Sequence, residues 1–232
     1  MTSWTELPLA AFDLETTSAD PFTARIVSAC VLRVDGGDVR ARNYIANPGV
    51  PIPEEATKIH GFTDEYVQKH GRPHDEVVAE VANELAACWR VQRCVAVYNG
   101  SFDFSVLAAH APEFAVTGAV LDGFVIDKQY DRYRKGSGQR KLSAVCIHYG
   151  MRLDDAHDAE ADALAAARLA WKLPHVYPHL ATLTASELMT KQAEWYREDA
   201  YRFIDYLRRN DRPFADVRTD WPIQRAEKAQ AA

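Results

Sequence analysis

Phe12-Asp13-Leu14-Glu15-Thr16-Thr17, preceded by Leu9-Ala10-Ala11, decides how the rest of the chain is read. On an extended strand, residues two apart share a face, so Asp13 and Glu15 point one way and Phe12 and Leu14 the other. Neighbouring carboxylates repel, and apolar surroundings make that repulsion costly. A divalent cation between them would resolve it. The plain alternative is a strand with one solvated face, common in antiparallel sheets. Two acidic motifs further along tip the balance toward the cation.

Working outward, residues 9–15 read as a first strand, and residues 25–34 and 39–46 as the next two. Asp35-Gly36-Gly37-Asp38 joins the second to the third, a strong hairpin signal. Asn47-Pro48-Gly49 with Pro51 and Pro53 ends the third strand and opens an irregular stretch. Thr63 begins a short helix with Asp64 and Glu65 in its first turn. Helical spacing of Val77, Val78, Val81, Leu85 and Cys88 predicts a helix over 75–90. Residues 94–98 form a short apolar strand, 101–110 a helix, 119–126 a further strand, and 141–149 and 160–171 two more helices. Antiparallel strands followed by strand–helix alternation imply an α/β fold, a mixed sheet flanked by helices.

Asn99-Gly100-Ser101-Phe102-Asp103-Phe104 is the second acidic motif. Asp103 falls in the first turn of a helix that follows a strand, where an acid also complements the helix dipole. Strand ends and helix starts on one sheet edge converge, so its carboxylate can approach Asp13 and Glu15. The third motif is His157-Asp158-Ala159-Glu160-Ala161-Asp162, in which Asp158 can cap a helix that carries Asp162 one turn inside. An oxygen-only set of Asp13, Glu15, Asp103 and Asp162 suits Mg²⁺ or Mn²⁺ rather than zinc. Two such ions roughly 3.5–4 Å apart would clamp a phosphodiester. His157, with an intrinsic pKa near 6.5, can take a proton from water at neutral pH.

Phe-Asp-Leu-Glu-Thr-Thr, then Asn-x-x-Phe-Asp, then His-x₄-Asp, in that order, resembles the DEDDh (DnaQ-like) 3′–5′ exonucleases, which include polymerase proofreading subunits. Thr57-Lys58-Ile59-His60-Gly61-Phe62-Thr63 is similar to the family's stretch between its first two motifs, and Lys141-Leu142 with Tyr149-Gly150 to the segment before the third. The likeness covers roughly residues 8–173. A histidine five residues before the last aspartate marks this branch, since the sister branch carries tyrosine four before it, where this chain has Asp158. The resemblance implies a ribonuclease H-like fold and release of 5′-nucleoside monophosphates from 3′ ends. It further implies metal binding by Asp13, Glu15 and Asp162, with Asp13 bridging two ions and Asp103 acting mainly through water. His157 would be the general base. Thr16 would meet the terminal 3′-hydroxyl, and His60, Asn99 and Phe102 would line the terminal nucleotides, Phe102 as a stacking surface. Tyr98 departs from the family, where many relatives carry histidine before the asparagine.

The expected substrate is therefore a single-stranded DNA 3′ end, with RNA as the alternative because these motifs do not read the 2′-hydroxyl. A catalytically silent module that docks on a polymerase is a third reading, opposed by the filled catalytic positions. Expected domains are an exonuclease unit over 1–176 and an added C-terminal helix with a polar tail over 177–232. Leu188, Met189, Tyr196, Phe203, Ile204 and Leu207 predict that helix over 186–209, with Ser186 and Met189 bracketing its start. It packs on its own domain or on a partner, a polymerase or a second copy. The tail beyond 210 is expected to be loosely ordered apart from Phe214 and Trp221.

Composition bounds these readings. The 232 residues are 47% hydrophobic and 26% charged, ordinary for one sizeable domain with additions. A net charge of −6 argues against a broad nonspecific nucleic-acid binder but not against an enzyme that grips a few nucleotides. Lys128, Arg132, Arg134, Lys135, Arg140 and Lys141 against Asp131 give +5 locally, which reads equally as a substrate grip or as a mobile, solvated loop. No apolar run nears the roughly 20 residues of a membrane span, and no secretory signal is evident in residues 1–8. Four scattered cysteines read as buried thiols in a reducing cytoplasm.

Overall fold

Gly36 adopts φ 63°, a left-handed value that glycine tolerates, and so lets strand β2 (Ile26–Asp35) reverse directly into β3 (Asp38–Asn47). This hairpin lies beside β1 (Leu9–Thr16) in a six-stranded sheet completed by β4 (Arg72–Pro73), β5 (Cys94–Val97) and β6 (Val120–Asp122). The spatial order is β4-β3-β2-β1-β5-β6. The computed structural model describes residues 2–134, 136–151 and 158–225. β1 pairs antiparallel with β2 and parallel with β5, which makes it the switch point of a mixed sheet. Ligands gather at such a point.

Eight α-helices lie among the described residues: α1 (Glu54–His60), α2 (Asp64–His70), α3 (His74–Arg90), α4 (Gly100–His110), α5 (Gly123–Tyr130), α6 (Leu142–His148), α7 (Ala159–Val176) and α8 (Ala185–Arg209). Phe12, on the apolar face of β1, stacks on Phe104 of α4 at 5.7 Å, and Trp89 of α3 packs on the same ring at 6.1 Å. α7 covers the opposite face, packing on β1, β2 and β5. Its inward side carries Ala159, Ala163, Ala166, Ala167 and Ala170, all buried. Such small side chains let the helix approach the sheet closely, which draws Asp162 toward the acids of β1.

Several elements differ from expectation. Residues 119–126 are not one strand, because Asp122 accepts the Phe124 N–H at 3.1 Å and thereby starts α5 after three strand residues. The proline-rich stretch contains α1, and Arg72–Pro73 adds a short edge strand. α7 continues to Val176 through Pro174. Asp158 occupies the N-cap position without a capping hydrogen bond from its side chain. α8 is capped by Thr184, whose hydroxyl and Glu187 form a reciprocal capping box, rather than by Ser186.

Within the described tail, Trp221 is held as the sequence set it apart, and Gln224, which was expected to be loose, is held as well. Trp221 is buried and donates to Asp122 at 3.2 Å, and the Gln224 amide donates to Ser105 Oγ at 2.7 Å. α8 lies on its own chain through buried Leu188, Trp195, Ile204 and Leu207. Gln192, with no exposed surface, takes the Asp122 N–H at 2.7 Å and donates to the Val120 carbonyl at 2.8 Å. It extends the edge of the sheet with a side chain. Tyr201, Phe203 and Tyr206 remain about half exposed on the outer face. The four cysteines are free and buried, and among the described residues no helix is long and apolar enough to cross a membrane.

Candidate active site

Alternation along β1 buries Phe12 and Leu14 on one side and turns Asp13 and Glu15 to the other, where α7 brings up Asp162. Carboxylate oxygens of these three residues lie within 4.8 Å of one another. They come from positions 13, 15 and 162, so the fold alone makes the cluster.

Asp103 reaches the site by another route. β5 ends at Val97 and α4 starts at Gly100, leaving two residues for the turn. Asn99 takes the left-handed conformation at φ 62°, which asparagine tolerates better than most residues. A Cβ at Gly100 would lie 2.4 Å from the Val97 side chain, so only glycine lets the helix start this close to the strand. The first turn then buries Asp103, 5% exposed, with the Leu14 backbone amide hydrogen-bonded to its carboxylate. Asp103 stands outside the mutual 4.8 Å of the other three, yet its charge is felt by both Asp13 and Glu15.

Burial and neighbouring acids dominate the electrostatics of the site. Burial first, then the charges of Asp103, Asp162, Glu15 and Asp158, hold the Asp13 carboxyl well above the usual carboxylate range. Glu15 is pushed up to about 8 by burial, then by Asp162, Asp103 and Asp158. Asp103 also rises to about 8, chiefly through burial with the Asp122 charge adding to it, against hydrogen bonds from its own and the Leu14 backbone. An all-oxygen donor set under this much mutual repulsion fits a hard divalent cation, whose charge would bring all three back into the ionised range.

Beside the acids runs a groove of about 620 Å³ lined by Glu15, Thr16, His60, Asn99 and Phe102 among others. All four residues expected to meet substrate therefore share one wall system with a carboxylate of the cluster. Thr16 Oγ1 donates to the Ser18 carbonyl at 2.9 Å. His60 Nδ1 accepts the Phe62 N–H at 3.1 Å, which places the proton of the neutral ring on Nε2. Burial lowers the His60 pKa, opposed by the Thr16 backbone. His157 lies outside the described residues.

Sequence reasoning missed the groups that fix the rim. Asp122 has no exposed surface and accepts the N–H groups of Asn99 (2.9 Å), Gly100 (3.1 Å) and Phe124 together with the Trp221 indole. It thereby holds the left-handed turn that aims Asp103. The Asp-Gly pair at 122–123 was the available signal, hidden by the strand expected there. Glu160 accepts a hydrogen bond from Asn43, tying the start of α7 to β3.

The basic segment is held in part by its own chain, while its described centre, residues 136–139, is exposed. Arg134 and Arg140 both turn inward onto Asp127, Lys128 pairs with Asp199 at 2.5 Å, and Arg132 donates to Gln129 Oε1 at 2.7 Å. Lys135 lies outside the described residues. Four of the six cations are held by their own chain, because the wholly buried Asp127 collects two of them. Tyr98, the departure from the family pattern, donates to the Arg140 carbonyl at 2.6 Å and joins this pinned loop to the active-site turn.

Comparison with known proteins places the arrangement. The family model described as exonuclease (RNase_T) matches residues 10–170. An exonuclease of Escherichia phage 186 is 27% identical over 172 residues, covering 68% of this chain and 84% of that protein. PolC-type DNA polymerase III of Streptococcus pneumoniae is 24% identical over 169 residues, and the match spans 71% of this chain but only 11% of the polymerase. Among solved structures, E. coli exonuclease I in complex with a dT13 oligonucleotide superposes with a TM-score of 0.59 at 16% identity, covering 75% of this chain and 42% of that one. Exonuclease X in complex with 5′ overhanging duplex DNA gives 0.56 at 18% identity, covering 79% and 99%. At such identities the structures speak for the fold, a mixed sheet flanked by helices.

Proposed function

Because the chain belongs to the exonuclease family whose model spans residues 10–170, we propose that this nuclease is a metal-dependent 3′–5′ exonuclease of the DEDDh type, acting on single-stranded DNA ends. The observation that carries the reading is the meeting of Asp13, Glu15 and Asp162 within 4.8 Å, with Asp103 against them. Those four carboxylates would hold two Mg²⁺ or Mn²⁺ ions, Asp13 serving both. When bound, the ions supply charge neutralisation at the phosphoryl group and a lowered pKa for the attacking water.

The protein's own groups do the rest. Thr16 and its backbone receive the terminal 3′-hydroxyl, and Phe102 stacks on the last bases while His60 and Asn99 flank them. His157 takes the proton of the attacking water and is suited to do so near neutrality. The bond to the penultimate 3′-oxygen breaks, and a 5′-nucleoside monophosphate leaves. DNA is preferred over RNA in this reading because both solved complexes cited above hold DNA.

A time course on strands labelled at the 5′ end, DNA and RNA side by side, with and without chelator, tests it. The expected result is stepwise shortening from the 3′ end, faster on DNA and stopped by chelator. Release that is indifferent to chelator, or absent from both strands, would overturn the assignment.

A further inference from the structure

Asn99 lines two grooves. One is the site just described, and the other, of about 480 Å³, lies on the far side of the same turn between α5, α8 and the tail. We propose that this second groove carries the stretch of a bound single strand upstream of the scissile phosphate. The inference rests on the nuclease reading and extends it to residues outside the matched family region.

Continuity is the first argument. A strand whose 3′ end enters the first groove must leave it past a wall, and Asn99 is the wall common to both. The tail also closes back on the site, since the Arg218 guanidinium lies 5.5 Å over the ring of Phe22, in the loop that follows β1. The tail is fixed there by Trp221 on Asp122 and by Gln224 on Ser105, so the groove is a built surface.

Chemistry is the second. Single strands are held without sequence preference by cations on the phosphates and aromatic faces under the bases. Here Phe124, Phe203 and Phe214 line the groove together with Arg212 and Arg218. Phe203 is 48% exposed and stacks on Tyr206 at 6.4 Å, while Lys128 covers Phe124 at 4.6 Å and Arg208 covers Phe214 at 5.2 Å, so of the three phenylalanines Phe203 is the one with no cation over its ring. Among the described residues, Arg212 and Arg218 form no ion pair, unlike Arg134 and Arg140 of the basic segment. Of the acids in the wall, Asp199 is taken by Lys128, which leaves Asp216. The excess charge in this acidic protein is thus cationic where an upstream phosphate would run.

The test uses the full chain carrying Asp13→Asn, which binds without turnover, and 5′-fluorescein-labelled dT12 read by anisotropy. Phe203→Ala should weaken binding about tenfold, and Arg212→Ala should lower the salt slope of log K by about 0.7. Phe203→Tyr and Arg212→Lys should restore both. With Asp13 intact, the advantage of dT12 over a dinucleotide in kcat/KM should shrink in the alanine variants. Unchanged dT12 affinity in both alanine variants would overturn the proposal while wild-type chelator-sensitive degradation leaves the nuclease reading standing. Unchanged affinity with altered sedimentation of the free protein would likewise overturn it and assign the groove to contact between copies. Loss of wild-type degradation itself would instead strike the parent reading.

Discussion

Two sets of carboxylates stand on either side of the β5–α4 turn, and they are opposites. Asp127 is met by Arg134, Arg140 and the Tyr149 hydroxyl, and Asp122 by four N–H donors. Asp13 and Glu15 instead meet the charges of Asp103, Asp162 and Asp158. Both sets are carboxylates withdrawn at least in part from solvent, so residue type alone does not identify a site. The difference is which neighbours they meet: the chain turns arginines and N–H donors onto the structural acids, whereas Asp13 and Glu15 face further acids.

Turning a carboxylate into an amide should therefore do opposite things in the two sets. Asp13→Asn should abolish nucleotide release while raising the thermal midpoint of the metal-free protein, since an amide replaces a carboxyl whose ionisation burial and neighbouring acids oppose. Turnover by this variant would break the comparison. His157→Ala leaves the acids intact and should cost about 10²–10⁴-fold in kcat, with cation binding retained and the neutral limb of the pH–rate profile gone. Asp127→Asn should cost about 3–5 kcal/mol of stability by stranding two arginines, read from denaturant midpoints. Asp122→Asn keeps the shape but weakens its N–H contacts, an expected loss of roughly 1–3 kcal/mol accompanied by a higher KM.

A smaller effect follows from titration. The folded protein without cation keeps protons on Glu15 and Asp103 up to about pH 8, whereas unfolded carboxyls release theirs near the ordinary values of 4.5 and 3.8. Between those limits the folded state binds more protons, so its stability falls as pH rises from about 4 to about 8. Mg²⁺ should raise the thermal midpoint more at pH 8 than at pH 5. A metal-free midpoint that climbs over this range would contradict the charge balance drawn for the site.

The site was legible where spacing in the sequence maps directly onto geometry. Two acids at positions 13 and 15 must share a strand face, and an acid three residues into a helix after a strand must lie near the sheet edge. Gly36-Gly37 announced its hairpin for a similar reason. What stayed hidden depends on partners far away in the chain. Asp122 reads as one polar residue closing an apolar run until Trp221, 99 positions later, bonds to it. The basic segment looked free because its neutralising group, Asp127, is a single acid buried by tertiary packing. Local pattern does not reveal which cations a fold will consume.

The acids of β1, α4 and α7 are proposed to form one cation-holding centre. Calorimetric titration of chelator-dialysed protein with MnCl₂ at pH 8, on the wild type and on Asp13→Asn, tests it most directly. Saturable binding with proton release is expected in the wild type, and its loss in the variant. An equal titration curve for both proteins, or no binding by the wild type, would contradict it.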